Sequence, residues 1–415
     1  MNPTKPYILH VIPTLDSGGA ERQLLTYLSQ PVLKDTFRHT VVMINVSNPH
    51  TDIPENFHVS DFEKHGIEVI GLGLPGSRNV LKSIYALSKL IRKRRMDLIH
   101  TQLLWANIAG RIAGRFNGVP VISSFQNTDY EPQYMESIKA PYWKQDLIRQ
   151  LDGWTTRHCV ERSIAVSNYV AKHIESRLRL SPSTIQVIHN TADPDHIVPT
   201  VAAPRQKLIQ EIGLEDDAQL ILNVGRVTDQ KCQIELVEAF SRIADQHRKA
   251  NLIIIGTKAD IGYLERLEER IREKNLTGRI LLAGARRDIS DWLASADLFV
   301  FPSKFEGLPI ALSEALAVGM ACIATDVGAI GELIEHEQTG LLVPLGDIEA
   351  LAQAMSRLLS DKSLGQKYGK CAKLDIMKRL HPEQKSREMA ELYTQLIKRG
   401  PTRFGTSKRS PIRPG

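Results

Sequence analysis

Cysteine is scarce in this 415-residue chain. The four present, Cys159, Cys232, Cys322 and Cys371, form no C-x-x-C pair and have no histidine at metal-ligand spacing beside them. That excludes a disulfide scaffold or a zinc ribbon and fits reduced, mostly buried thiols in a cytosolic protein. No apolar run approaches the ~20 residues of a membrane span. The N-terminal "MNPTKPYILHVIP" carries too short an apolar stretch for a secretory leader. The expected location is therefore cytoplasmic. A Walker phosphate loop, G-x-x-x-x-G-K-[ST], is also missing. Acidic residues are absent from 398–415, where Lys398, Arg399, Arg403, Lys408, Arg409 and Arg413 equal the whole formal excess of +6. This Pro-, Gly- and Ser-rich end reads as a disordered basic tail, either solvated or touching anionic lipid. The rest of the chain is formally balanced, and no nucleic-acid partner is expected.

What is present is a long alternation of short apolar runs with helical-period segments. In the first half the runs are 7–13, 39–45, 67–73, 98–102, 121–126, 163–167 and 185–190. In the second they are 220–226, 251–256, 279–284, 298–303, 321–325 and 340–344. Helical segments fall between them, among them 231–248 and 261–275. Near-continuous apolar strands alternating with helices predict parallel sheets covered on both faces. The reading is α/β, with two facing Rossmann-like, doubly wound domains and a cleft between them. The first domain spans 1–190, a Pro-rich linker 191–206, and the second domain 207–381. A helix at 382–398 is expected to pack back toward the junction, and 399–415 is the tail. Ligands in such sheets bind beyond the carboxyl ends of the strands.

Three stretches at strand ends can carry chemistry. In "DSGGAERQLLTYL", Gly18 and Gly19 precede an amphipathic run, where glycine lets backbone amides approach an anion at a helix start. The turn is not the G-x-G-x-x-G dinucleotide fingerprint. In "NVGRVTDQK", Arg226 and Lys231 flank a short loop; they are either solvated surface cations or a clamp for a diphosphate. In "KFEGLPIALSEALAVG", Glu306 and Glu314 stand eight apart around Gly307, Leu308, Pro309 and Ile310. Pro309 is expected in the first helical turn and Gly319 at the helix end. Amides near Leu308, Ile310 and Ala311 suit a phosphate, and a carboxylate on either side suits vicinal hydroxyls. Two decoys stand apart. Asp193 and Asp195 formally make a D-x-D metal motif but lie in the linker with no further ligand nearby. Arg286, Arg287 and Asp288 frame either a nucleobase or a surface salt bridge.

Together these stretches resemble the retaining nucleotide-sugar glycosyltransferases of family 4, with the GT-B fold, over roughly residues 7–395. "SGGAER" resembles that family's glycine loop, "VGRVTDQK" its Arg-x4-Lys clamp, and the block from "FEGLPIALSEALAVG" to "TGLLVPLGD" its Glu-x7-Glu signature. The resemblance implies that Glu306 holds donor-sugar hydroxyls and Glu314 the ribose. It implies that Arg226 and Lys231 bind the diphosphate as it leaves, that Gly18 and Gly19 close over it, and that amides after Gly307 contact sugar and phosphate. It further implies transfer with retention and without a metal or cofactor, the nucleoside-diphosphate sugar being the donor substrate. Gln126 stands where many members carry a histidine, and Gln102 where a second is common, with His100 remaining. Glutamine cannot act as a general base, so Gln126 and His100 are expected only to contact sugar or acceptor.

The acceptor side is read from "KSIYALSKLIRKRRMD", a run whose cations at 89–95 suit either solvent or an anionic membrane surface. The expected acceptor is a glycan or a lipid-linked glycan in cell-envelope or exopolysaccharide synthesis, met by a protein peripheral to the inner face of the membrane. Two other readings remain: a non-catalytic nucleotide-sugar binder, favoured by Gln126 and Gln102, and a nucleotide-sugar epimerase on the same fold. The latter needs a further acid–base set, and none is evident near Glu306.

Overall fold

A computed structural model describes residues 5–16, 18–46, 58–74, 79–132, 135, 140–192, 197–199 and 204–400. The chain divides into two compact units. One comprises the residues through Asn190 together with those from Pro382 onward, and the other Thr191–His381.

In the N-terminal unit the order is β1 (Tyr7–Ile12), α1 (Gly19–Ser29), α2 (Pro31–Thr36), β2 (Arg38–Met43), α3 (Val59–Lys64), β3 (Glu68–Gly71) and α4 (Val80–Arg94). Then follow β4 (Leu98–Gln102), α5 (Leu104–Asn117), β5 (Val121–Phe125), α6 (Tyr142–Cys159), β6 (Arg162–Ala165), α7 (Asn168–Leu178) and β7 (Ile185–Val187). The seven strands pair in parallel in the order β3-β2-β1-β4-β5-β6-β7. All six residues of β1 are buried, as expected of a strand covered on both faces. The order reverses between β1 and β4, and ligands gather at such a switch point.

The C-terminal unit repeats the plan with α8 (Pro204–Glu211), β8 (Gln219–Val224), α9 (Gln233–Ile243), β9 (Ala250–Ile255), α10 (Ile261–Glu273), β10 (Ile280–Gly284) and α11 (Ile289–Ser295). It continues through β11 (Leu298–Phe301), α12 (Ile310–Val318), β12 (Cys322–Thr325), β13 (Leu341–Val343), α13 (Ile348–Ser360) and α14 (Lys362–Arg379). Its six parallel strands run β10-β9-β8-β11-β12-β13, with the switch between β8 and β11.

Two boundaries differ from the sequence reading. The 191–206 linker is shorter, because Pro204 starts α8 and Arg205 reaches into the second unit, donating to the Ala218 carbonyl at 2.6 Å and to Asp297 at 3.0 Å. Proline suits a first helical residue, whose amide would be unpaired anyway. The helix expected from 231 begins at Gln233, because a single 3-10 turn at Asp229–Lys231 and a left-handed Cys232 (φ 53) come first. The last helix, α15 (Pro382–Arg399), belongs to the N-terminal unit. It packs on α1, α2 and β4 through Met389, Leu392, Tyr393 and Leu396.

Tyr393 closes a buried imidazole cluster. Its hydroxyl lies 2.6 Å from His100 Nδ1, and His100 Nε2 lies 2.7 Å from the Ser124 hydroxyl. His10 Nε2 is 3.0 Å from His39 Nδ1, and the His10 and His100 rings sit 5.6 Å apart. Burial disfavours the charged form, and the neighbouring imidazoles add to this for His10 and His100. His39 is pushed from 6.5 down to about 4 and His100 to about 3, while His10 is held well below 6.5.

The unfolded chain takes up protons at these sites below its ordinary pKa of 6.5, whereas the folded chain does not until far lower pH. Stability conferred by the neutral cluster is thus complete above pH 6.5 and is lost progressively as pH falls toward about 4 and 3. His100→Gln is expected to flatten the fall of the melting temperature over that window; a thermal-unfolding series against pH with an unchanged slope would refute this.

Candidate active site

The site is built at the β8/β11 switch point. β8 is fully buried through Leu220, Ile221 and Leu222 and delivers Gly225 and Arg226 at its carboxyl end. A β-carbon on Gly256, just beyond β9, would lie 1.9 Å from the Gly225 carbonyl oxygen, so only glycine lets the two loops abut. Gln233, at the start of α9, donates to the Arg226 carbonyl at 2.9 Å. The Arg226 side chain is exposed. Asn223 Nδ2 donates to the Val300 carbonyl at 2.8 Å, joining β8 to β11 within the core.

The loop leaving β11 is fastened to the 225–231 loop by four contacts. The Lys304 amide donates to the Gln230 carbonyl at 2.8 Å, and Gln230 Nε2 donates to the Phe305 carbonyl at 2.9 Å. Lys304 Nζ donates to Asp229 Oδ2 at 2.6 Å, and Lys231 Nζ to Glu306 Oε1 at 2.5 Å. Lys231 and Glu306 are only 14% and 6% exposed. The Lys231 ammonium also lies 4.8 Å from the Phe301 ring centre, a cation–π contact. Burial works against the Lys304 ammonium, but the hydrogen bond and charge of Asp229 outweigh it, so its pKa is raised.

β12 supplies the other wall. Thr325 Oγ1 donates to the Ser303 carbonyl at 2.5 Å, and the Ala329 amide donates to the Glu306 carbonyl at 3.3 Å. Gly328 (φ +57) presses on the same place, since a β-carbon there would lie 2.2 Å from the Glu306 carbonyl oxygen. Pro309 is extended (φ −73, ψ 120) and caps α12 rather than sitting in its first turn as expected; its carbonyl accepts from the Ser313 amide at 3.1 Å. The amides of Ile310, Ala311 and Leu312 therefore precede the first intrahelical bond, where an anion is stabilised. Gly307, Leu308 and Ile310 line this approach, and Glu314 is buried one turn inside α12. Gly319 (φ 91) ends the helix, as expected.

In the N-terminal unit the remaining residues gather at the carboxyl ends of the adjacent strands β1, β4 and β5. Gly18 caps α1, and Gly19 is its first residue. Both Asp16 and Glu21 crowd Gly18: its amide donates to Asp16 Oδ1 at 2.8 Å, and a β-carbon there would lie 2.3 Å from Glu21 Oε2. Gln126 Nε2 donates to Gln102 Oε1 at 3.3 Å. His100 is not beside them. It points into the core, with both ring nitrogens engaged by Tyr393 and Ser124. That leaves it no atom for a sugar, so the expectation for His100 is corrected: it is a packing residue under α15.

Comparison with known proteins gives the family. Residues 204–375 match the glycosyl transferases group 1 family, and residues 17–196 match Glycosyltransferase Family 4. The chain is 30% identical over 289 residues, 68% of its own length and 72% of the other, to an Escherichia coli UDP-Gal:alpha-D-GlcNAc-diphosphoundecaprenol alpha-1,3-galactosyltransferase. The chain belongs to the family 4 glycosyltransferases. It is also 26% identical, over 87% of its length and 92% of the other, to a Campylobacter jejuni enzyme. That protein is the N-acetylgalactosamine-N,N'-diacetylbacillosaminyl-diphospho-undecaprenol 4-alpha-N-acetylgalactosaminyltransferase. The fold matches the crystal structure of Anabaena HepE in complex with UDP and glucose, with a TM-score of 0.80 and 20% identity, over 94% of this chain and all of the other. The two Rossmann-like units are those of the GT-B fold.

In this family 4 glycosyltransferase, the structure brings Arg226, Lys231, Glu306, Gly307–Ile310 and Glu314 onto one switch point of the C-terminal unit. Gly18, Gly19 and Gln126 belong to the N-terminal unit. Asp193 and Asp195 lie outside the described residues. Arg286 is held by Asp288 through two bonds of 2.7 and 2.8 Å and by Glu211 at 3.0 Å, so the salt-bridge reading of this decoy is the observed one. Sequence reasoning missed Asp229, Gln230, Gly256, Lys304 and Gly328. Gly256 had a visible signal, a glycine closing an apolar strand run; the other four work through partners distant in the chain.

A double-mutant cycle of Lys231→Ala and Glu306→Ala is expected to give a coupling of about 0.5–3 kcal/mol in urea unfolding. Additive losses would mean that the pair is not held in solution. Gly256→Ala is expected to cost about 1–3 kcal/mol, as an overpacked contact does; wild-type stability would show that the 225–226 loop yields freely.

Proposed function

We propose that this chain transfers a sugar from a nucleoside-diphosphate sugar, most simply a UDP-sugar, to a glycan or lipid-linked acceptor. We place the reaction in cell-envelope or exopolysaccharide biosynthesis, with retention of configuration and without a metal. The observation that carries this reading is the Lys231–Glu306 pair, seated where two switch-point loops meet beside the free start of α12. Such a site offers positive charge, amide donors and a carboxylate within one ligand's reach. Arg226 and Lys231 neutralise charge growing on the leaving diphosphate, and the α12 amides receive its oxygens. Glu306 accepts hydrogen bonds from donor-sugar hydroxyls, and Glu314 from the ribose. Attack from the leaving-group face, assisted by the departing phosphate, requires no protein nucleophile. The UDP bound by the Anabaena neighbour and the diphosphoundecaprenol substrates named for the two relatives support the choice of donor and acceptor.

A second reading, a nucleotide-sugar binder without catalysis, draws on Gln126 and Gln102. Their amides hydrogen-bond each other and neither can exchange a proton as a base.

UDP is expected to raise the melting temperature of the wild type, because a ligand that binds only the folded state stabilises it. In Lys231→Ala that rise should shrink, and transfer should fall at least about a hundredfold, the scale of losing one transition-state charge partner. Slow release of free sugar from the donor by the wild type separates a catalyst from a binder. Near-normal activity in Lys231→Ala or Glu306→Ala would overturn the site assignment, and the anomeric configuration of the product by NMR tests retention.

A further inference from the structure

The helix α6 is built the wrong way round for a helix that faces water. Its fully buried residues are Gln145, Asp152, Gly153, Thr155, Thr156 and Cys159, which are polar or small. Most of their polar atoms are hydrogen-bonded inside the N-terminal unit, Gln145 Oε1 being an exception. Asp152 pairs with the fully buried Arg111 and accepts from the Tyr130 hydroxyl at 2.8 Å. Thr155 and Thr156 donate to the Asp152 carbonyl, and Gln145 donates to the carbonyls of Met135 and Ala140. The outer face carries Trp143, Leu147, Leu151 and Trp154, which are 65%, 60%, 39% and 48% exposed. Their spacing of four, four and three places them on one stripe. A surface helix ordinarily turns its apolar stripe inward.

The charge around this stripe is predominantly positive, Asp146 on α6 and Glu175 on the adjoining α7 being the acidic exceptions. α6 packs on α5, and α5 on α4. The three helices contain ten lysines and arginines, two aspartates and no glutamate. Both aspartates are taken, Asp152 by Arg111 and Asp146 by Arg149. Lys82, Lys89 and Lys93 of α4 have no carboxylate partner among the described residues, and Leu81 and Tyr85 are exposed beside them. Lys144 lies over the Trp143 ring, 5.3 Å from its centre.

We infer that the outer face of α6, with the basic α4 beyond α5, docks onto an anionic lipid bilayer. Tryptophan and tyrosine settle at headgroup depth, leucine goes deeper, and lysine and arginine meet the phosphates. A second copy of this chain fits the face poorly, because it would press two basic surfaces together. Lys82, Lys89 and Lys93 thus supply attraction, whereas Arg94 is held by Glu68, and the apolar contact comes from α6. This inference does not depend on the donor and acceptor assigned above, since vesicle binding is read without any sugar present.

The test is co-sedimentation of the full chain with vesicles of phosphatidylglycerol and phosphatidylcholine, and of phosphatidylcholine alone. The wild type is expected on the anionic vesicles and weakly on the neutral ones. A Trp143→Ser, Leu147→Ser, Trp154→Ser variant is expected to bind about tenfold less with an unchanged melting temperature, since binding scales with inserted apolar area. Nitroxide-labelled lipid should quench wild-type tryptophan emission more than that of Trp154→Phe. A wild type that ignores anionic vesicles, or a triple variant that binds as well as the wild type, would overturn the inference. So would a wild-type dimer in analytical ultracentrifugation that the triple variant abolishes, which would give the face to a second copy.

Discussion

Lys231 and Glu306 stand 75 residues apart in sequence and 2.5 Å apart in space. Neither charge is tolerable alone at that depth, because an unpaired ion taken from water loses hydration that nothing else replaces. The pairing therefore constrains more than two side chains. It requires the end of β8 and the end of β11 to meet at one height, and Lys304, Asp229 and Gln230 hold them there. The same constraint explains why glycine stands at positions 256 and 328. Each lies against a backbone oxygen of the paired loops, so close that a methyl group would push the charges apart. An anion that reached Lys231 would compete with Glu306 for it.

The N-terminal unit is organised by a different economy. Its buried polar groups include imidazoles, hydroxyls, side-chain amides and the Arg111–Asp152 ion pair. His10, His39 and His100 are buried rings whose burial favours the neutral form, and the hydrogen bond between His100 and Tyr393 helps close the last helix of the chain onto the first sheet. Arg111 and Asp152 anchor α6 from inside, and that polar anchorage is what frees the opposite face of the helix to be apolar. Gly18 shows the same local logic. Its amide donates to Asp16 and the Glu21 carboxylate lies close by, so two carboxylates stand beside the loop.

Much of this was legible before any coordinates. Buried parallel strands are nearly continuous in apolar residues, so the runs ending at Arg226, Ser303 and Gln126 announce themselves, and the candidate site residues were sought at the carboxyl edges where those runs stop. Arg226, Lys231, Glu306 and Glu314 lie at such edges and could be named from spacing and a helix start. His100 could not be placed, because a histidine within a strand reads the same whether its ring meets solvent or Tyr393, and Tyr393 lies 293 residues further on. The inverted polarity of α6 was hidden for a related reason. Helical periodicity shows that two faces differ but not which one turns inward, and here Arg111, from another helix, decides it.

The sequence by itself determined the two parallel-sheet units, the loops that bear the charged residues and the family to which the chain belongs. These follow from local period, from turn and cap residues, and from motifs contiguous in the chain. Only the tertiary structure decided that Lys231 closes on Glu306, that His100 is core, and that tryptophans 143 and 154 face outward. Each of those outcomes depends on which distant group removes a charge or a ring from water, and that is settled only when separate elements pack together.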